Sequence, residues 1–177
     1  SFAATSRAVI EERPDGVMFA PTIPQYTKEF TDALNGLGIP YIYIDSQIKD
    51  VPPLAFFGQN SHQSGYFAAR MLMLLAGNDR EIVIFRKIHE GVIGSNQQEN
   101  REIGFRQYMR EHHPDCNILE LDLHADPNIE DNRMLDDFFS EHPEVKNGIT
   151  FNSKVYIIGE YLKMRRKNNI NLIGYDL

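Results

Sequence analysis

The sequence predicts an α/β fold built on parallel sheets, and three observations lead there. Short apolar runs alternate with longer amphipathic stretches along almost the whole chain. The short runs are apolar on successive residues, as strands covered on both faces should be. Turn residues bound them, and no low-complexity linker, charge block or internal repeat breaks the order. Strands alternating with helices in this way need helical crossovers, and so pair in parallel.

A helical stretch over 3–12 opens the chain, and a strand is expected over 16–20. Tyr26, Phe30, Ala33, Leu34 and Leu37 then recur at helical spacing, and Gly38-Ile39-Pro40 is the stop signal. Strands follow over 41–44 and 54–57. The next helix, 62–76, carries Gly65, Ala69, Leu72 and Ala76 on one face. After a strand over 81–86 comes a loop-rich insertion, 87–98, containing Gly91, Gly94 and Ser95. It directly follows a strand, which is where a ligand-facing loop belongs. Helices over 100–112, 129–141 and 153–167 alternate with strands over 117–123, 148–151 and 170–174. The first three strands are assigned to one parallel sheet and the last four to a second. The final strand delivers Asp176, at the sheet edge where α/β folds hold ligands. Capping of a following turn is the other reading of that carboxylate. A chain that stops on such a strand is expected to be an incomplete domain.

The chain has 177 residues and 42% hydrophobic side chains, enough for a core, with no apolar run long enough to span a membrane. Carboxylates outnumber basic residues by 25 to 18, giving a net charge of −7, which argues against nucleic-acid binding by this segment. The basic stretch Lys163-Met164-Arg165-Arg166-Lys167 fits the favoured charge at a helix C-terminus better than a phosphate groove. Cys116 is the single cysteine, so neither an internal disulfide nor a cysteine metal cluster is expected. A reducing compartment fits that count, and so does a periplasm.

Enzyme signatures are poor. Gly36-Leu37-Gly38 lacks the third glycine of a dinucleotide loop, and no phosphate loop is present. His89-Glu90 lacks the second histidine of a zinc helix, and His112-His113, being adjacent, diverge on a helix. No nucleophile elbow frames a serine. Catalysis, cofactor and metal are therefore not expected. The residues that follow the strands are more informative: Pro21, Asp45-Ser46, Gln59-Asn60, Arg86, His124, Asn152-Ser153 and Asp176. In a parallel sheet these emerge on one edge. Amides, carboxylates and a forked guanidinium suit the vicinal hydroxyls of a polyol or sugar, although solvated loops are polar in any case.

Several strings in order resemble the lactose-repressor (LacI) family of sugar-responsive transcription regulators. They are Arg13-Pro14-Asp15-Gly16-Val17-Met18, Leu37-Gly38-Ile39-Pro40 through Asp45, and Gln59-Asn60 followed by Gly65-Tyr66. Arg101-Glu102-Ile103-Gly104-Phe105 is similar to the family's R-x-x-G-F signature, and Phe151-Asn152-Ser153 and Ile173-Gly174-Tyr175-Asp176 to its last ligand-edge motifs. The resemblance implies a type I periplasmic-binding-protein-like fold with two doubly wound parallel-sheet subdomains flanking a ligand cleft. The subdomains would be residues 1–60 and 61–177, both partial, with the chain crossing near 59–61. The DNA-binding helix-turn-helix would lie outside this chain.

By the same resemblance Arg101 grips ligand hydroxyls, Asn152 and Asp176 face it, and Gln59 stands where an aspartate is common. Ser153 also replaces a frequent aspartate, which leaves the effector's identity open, an uncharged sugar being the best match. The implied protein is a cytoplasmic homodimer that controls operator DNA allosterically. An exported sugar-binding protein or receptor sensor domain of the same fold is the alternative. The dimer contact is expected on the helix over 153–167. There Val155, Ile158 and Leu162 form the stripe for the sheet, and Ile157, Tyr161 and Met164 form a second stripe. Tyr161 is expected near the interface centre, since large aromatics anchor such contacts.

Overall fold

The computed structural model describes residues 2–21, 24–48, 50–89, 92–93, 96–124 and 129–175. The chain divides into two compact units. One comprises Ser1–Asn60 with Ser95–Gln97, the other Ser61–Gly94 with Gln98–Leu177.

In the first unit, helix α1 (Phe2–Glu12) precedes strand β1 (Val17–Phe19), helix α2 (Pro24–Gly36) and strands β2 (Tyr41–Ile44) and β3 (Ala55–Phe57). The strands form a parallel sheet in the order β1-β2-β3, with Phe19 beside Tyr43 and Tyr43 beside Phe56. Alternation along β2 sends Tyr41 and Tyr43 to the helical side. There they pack with Phe30, Leu34 and Ile39. Phe19 meets Phe30 edge-on at 5.1 Å. The stop signal after α2 is a Schellman turn: Gly38 has φ +70° and the Ile39 N–H reaches back to the Leu34 carbonyl at 2.9 Å.

The second unit holds α3 (Ser61–Ala76), β4 (Glu81–His89), β5 (Val92–Ile93), α4 (Asn96–His112), β6 (Asn117–His124), α5 (Ile129–Glu141), β7 (Asn147–Thr150), α6 (Val155–Met164) and β8 (Asn171–Ile173). Strand β4 pairs in parallel with β6 along one edge and with β7 along the other, and β8 pairs with β7. The parallel order is therefore β6-β4-β7-β8, and the chain reverses its direction of winding at β4 and β7. β4 is covered on both faces. Ile82 and Ile84 pack under α3 and α4, while Val83 and Phe85 pack under α5 and α6, and none of the four is more than 1% exposed. That burial explains why its sequence is an unbroken apolar run.

Two expectations are corrected here. The segment over 87–98 is not all loop: β4 runs on to His89, β5 returns antiparallel to it, and α4 begins at Asn96. The glycines suggested a loop, but β-branched Val92-Ile93 pair with the overhang of β4 beyond the end of β7. Tyr161 is also not on an unpartnered face. It is 2% exposed, stacks on Phe139 at 6.2 Å, and its hydroxyl donates to Asp136 at 2.8 Å. Helix α5 covers what the spacing within α6 left open. Of the second stripe only Met164 is well exposed, with Ile157 half-buried.

Candidate ligand site

The switch between β4 and β7 positions Arg101. Helices α3 and α4 cross so closely that a Cβ on Gly65 would stand 1.8 Å from the Arg101 carbonyl oxygen. One on Gly104 would stand 1.9 Å from that of His62. Glycine at both places lets the backbones touch, which seats the first turns of α4 over the end of β7. Phe105, one turn after Arg101, is fully buried and meets Phe151 at 5.6 Å. Arg101 is 5% exposed and donates from Nη1 to the Phe151 carbonyl at 3.0 Å. Its guanidinium carbon lies 3.9 Å from the centre of the Tyr175 ring. A planar cation so clamped holds a fixed set of donors at the C-terminal edge of the sheet. Burial pushes the Tyr175 phenol above its ordinary value, and Ser64 and the Arg101 charge pull the other way.

Asn152 sits two residues past β7. Its Oδ1 accepts from the Lys154 N–H at 2.8 Å, which starts α6, so its Nδ2 is turned to the other side and faces Gln98 Oε1 at 3.5 Å. The structure thus gathers Arg101, Asn152, Gln98 and Tyr175 around one strand end. Gln59 belongs to the first unit, just past β3. Asp176 lies outside the described residues.

Two other strand-end candidates are committed elsewhere. Arg86 donates to Glu102 through Nε at 3.0 Å and Nη2 at 2.6 Å, and to Glu120 through Nη1 at 2.5 Å. Glu102 also accepts from Arg106 at 2.8 Å. Burial raises the Glu102 carboxyl, but the two arginines outweigh that and hold it below its ordinary range. This network fastens α4 to β4 and β6. His124 binds Asp131 through Nδ1 at 2.8 Å and through its backbone N–H at 2.9 Å, joining the end of β6 to α5.

Chemically, the arrangement offers guanidinium donors and carboxamides. Among the described residues, no group of three or more His, Cys, Asp or Glu side chains is placed to hold a metal ion. Sequence reasoning missed Gln98 and Tyr175 as neighbours of Arg101. Tyr175 stood inside a motif singled out for its aspartate, and Gln98 precedes Arg101 by one helical turn, the signal that could have found it.

Comparison with known proteins decides the family. A family model described as a periplasmic binding protein domain matches residues 1–177. The chain belongs to this family. The domain is 87% identical to a crystal structure from Bacteroides fragilis, provisionally named a LacI transcriptional regulator, with a TM-score of 0.92. That match covers 100% of this chain and 61% of the other, so the chain spans about three-fifths of that relative. An ABC sugar transporter's periplasmic sugar-binding protein from Legionella pneumophila shares 19% identity at a TM-score of 0.82, over 99% of this chain and 64% of that one. A transporter solute-binding protein from Agrobacterium vitis, bound with alpha-D-tagatopyranose, shares 20% at 0.80, over 98% and 61%. These last two likenesses establish the fold alone. A comparison with curated proteins gives no match. No helix among the described residues is long and apolar enough to cross a membrane.

Proposed function

We propose that this domain is the effector-binding and dimerisation part of a LacI-type transcription regulator, and that its effector is an uncharged sugar. The observation that carries the reading is the 87% identity to the B. fragilis protein over the whole chain. At that identity the core, the glycine crossing and the Arg101 clamp are expected in both. The polar set suits a sugar, because Arg101 and Asn152 supply oriented donors. Arg101, Asn152, Asp176 and Gln59 are the proposed ligand residues.

Effector binding favours one of two states of the regulator, and the coupling appears as a change in operator affinity. Dimerisation, operator binding through a segment outside these residues, and a cytoplasmic location all belong to this proposal. The dimer contact on α6 is now assigned to Ile157 and Met164, without Tyr161. A transporter-linked sugar-binding protein is the second reading, favoured only by the shared fold of proteins such as that from L. pneumophila.

The intact protein decides between them. Calorimetry against a panel of aldopentoses, aldohexoses and ketohexoses should find a binder, and Arg101→Ala should weaken it by about 1–3 kcal/mol through unpaired polar partners. Gel shifts on DNA selected from a random pool should then respond to that sugar. Sugar binding without any DNA affinity would favour the transporter reading, and no binding across the panel would defeat both.

A further inference from the structure

We infer that Tyr175 is a positioning residue of the sugar site: its ring is the platform that sets the plane of the Arg101 guanidinium, and it acts on the ligand through that arginine. This role presupposes the ligand site proposed above. Strand register brings the parts together. Strands β7 and β8 pair in parallel with Ile149 beside Ile173, so Phe151 and Tyr175, each two residues further on, leave the sheet abreast. Their rings lie 6.5 Å apart. Arg101 engages both residues. Nη1 donates to the Phe151 carbonyl at 3.0 Å, and the guanidinium carbon stands 3.9 Å from the centre of the Tyr175 ring.

The two contacts restrain different things. A hydrogen bond to one amino group sets a distance, whereas a ring face against a planar cation sets the plane in which its donors point. Arginine has many rotamers, and ordering them before the ligand arrives spares binding that cost. At 3.9 Å the guanidinium also covers the ring face turned toward it, so that face is closed to a sugar ring. Tyr175 can still serve the ligand by holding the arginine.

The platform is itself held. A Cβ on Gly174 would stand 2.2 Å from the Val155 Cβ, so the chain just before Tyr175 presses on the first residue of α6. The Tyr175 ring in turn packs against the buried cluster that includes Leu72, Phe105 and Phe151. Its enclosed hydroxyl makes no hydrogen bond of good geometry, although Ser64 stands near it. The arginine therefore uses the ring and not the hydroxyl, and phenylalanine should serve as well.

The test uses the intact protein and the sugar of the panel that binds wild type best, measured by calorimetry. Tyr175→Leu should weaken binding roughly five- to thirtyfold, as loss of a desolvated cation–π contact does, while Tyr175→Phe stays within about twofold of wild type. In the Arg101→Ala background the leucine change should add less than about twofold, because a platform without its arginine has nothing to orient. Tyr175→Met, flexible and without a ring, must repeat the leucine pattern, which keeps the test decisive if leucine unfolds the domain. Equal loss from Tyr175→Leu with and without Arg101 would overturn the inference, since a direct sugar contact or a general loosening would act in both backgrounds. So would a phenylalanine variant as weak as leucine, or unchanged affinity in Tyr175→Leu while Arg101→Ala still weakens binding. Full affinity in Arg101→Ala, or no sugar bound by wild type, would defeat the proposed site first and this role with it.

Discussion

Replacing Gly65 by alanine tests the contact on which the site is built. The added Cβ would lie 1.8 Å from the Arg101 carbonyl oxygen, 2.5 Å from its carbonyl carbon and 2.7 Å from its Cα. Real Cβ atoms do not come within 3.0 Å of such neighbours, so α3 and α4 must part by about 1.2 Å there. The obstacle is backbone, which no rotamer change relieves. Overpacking of this kind costs about 1–3 kcal/mol, and the better helix propensity of alanine returns up to about 1. Gly159→Ala is the matched control: the residue is also helical, but nothing lies within 4 Å of its Cβ position, so only the propensity gain should appear. Thermal unfolding by circular dichroism should place Gly65→Ala several degrees below wild type and Gly159→Ala at or above it. Amide exchange should also speed up in the first turns of α4. Two variants of equal stability would refute the close crossing, and with it the account of how Arg101 is placed.

Three further outcomes follow from the same structure. Glu102→Gln, which leaves Arg86 and Arg106 facing a neutral amide at a site with 10% side-chain exposure, should cost roughly 2–3 kcal/mol in urea unfolding at neutral pH. Glu102 has its folded pKa depressed, so its contribution is present above the ordinary carboxyl value of 4.5 and is lost as pH falls through the lower folded value. Wild type should therefore lose stability in acid more steeply than Glu102→Gln, and parallel profiles would contradict the network. Tyr161→Phe removes the bond to Asp136 and should cost about 0.5–1.5 kcal/mol. Tyr161→Ala should cost about 3–5 kcal/mol. Sedimentation should show both variants in the same oligomeric state as wild type, whereas selective dissociation of an otherwise stable protein would return Tyr161 to an interface.

The strands most legible in the sequence were those buried on both faces. Nothing in β4 between Ile82 and Phe85 is polar, so no amphipathic helix could be read there, and the pairing with β6 and β7 needs that double covering. The hairpin of β4 and β5 was not legible. Its two-residue return strand carries no period of its own, and the glycines around it outweigh Val92-Ile93 in any local reading. Tyr161 failed for a different reason. Spacing along α6 tells which residues share a face, but what covers that face lies 25 residues earlier, at Asp136 and its neighbour on α5. Arg86 and His124 were legible as strand-end residues. Their partners, Glu102 and Asp131, come from helices whose register against the sheet no strand pattern contains.

Arg101 was legible for a reason that the structure makes physical. The spacing in Arg101-Glu102-Ile103-Gly104-Phe105 is one helical turn with three tasks. Gly104 touches the backbone of α3, Phe105 anchors in the core against Phe151, and Arg101, four residues before Phe105, reaches the same strand end. None of the three works alone. Without the glycine the helix stands off, without the phenylalanine it is free to slide, and without the arginine the docked turn has no charge to present. Glu102, on the next face, is then held by Arg86 and Arg106, which ties the same turn to β4 and β6. The motif is therefore a docking device that ends in a guanidinium. Its polar neighbours Gln98 and Asn152 come from either side of that dock, and neither can be seen to meet until the crossing of α3 and α4 has set where the turn lies.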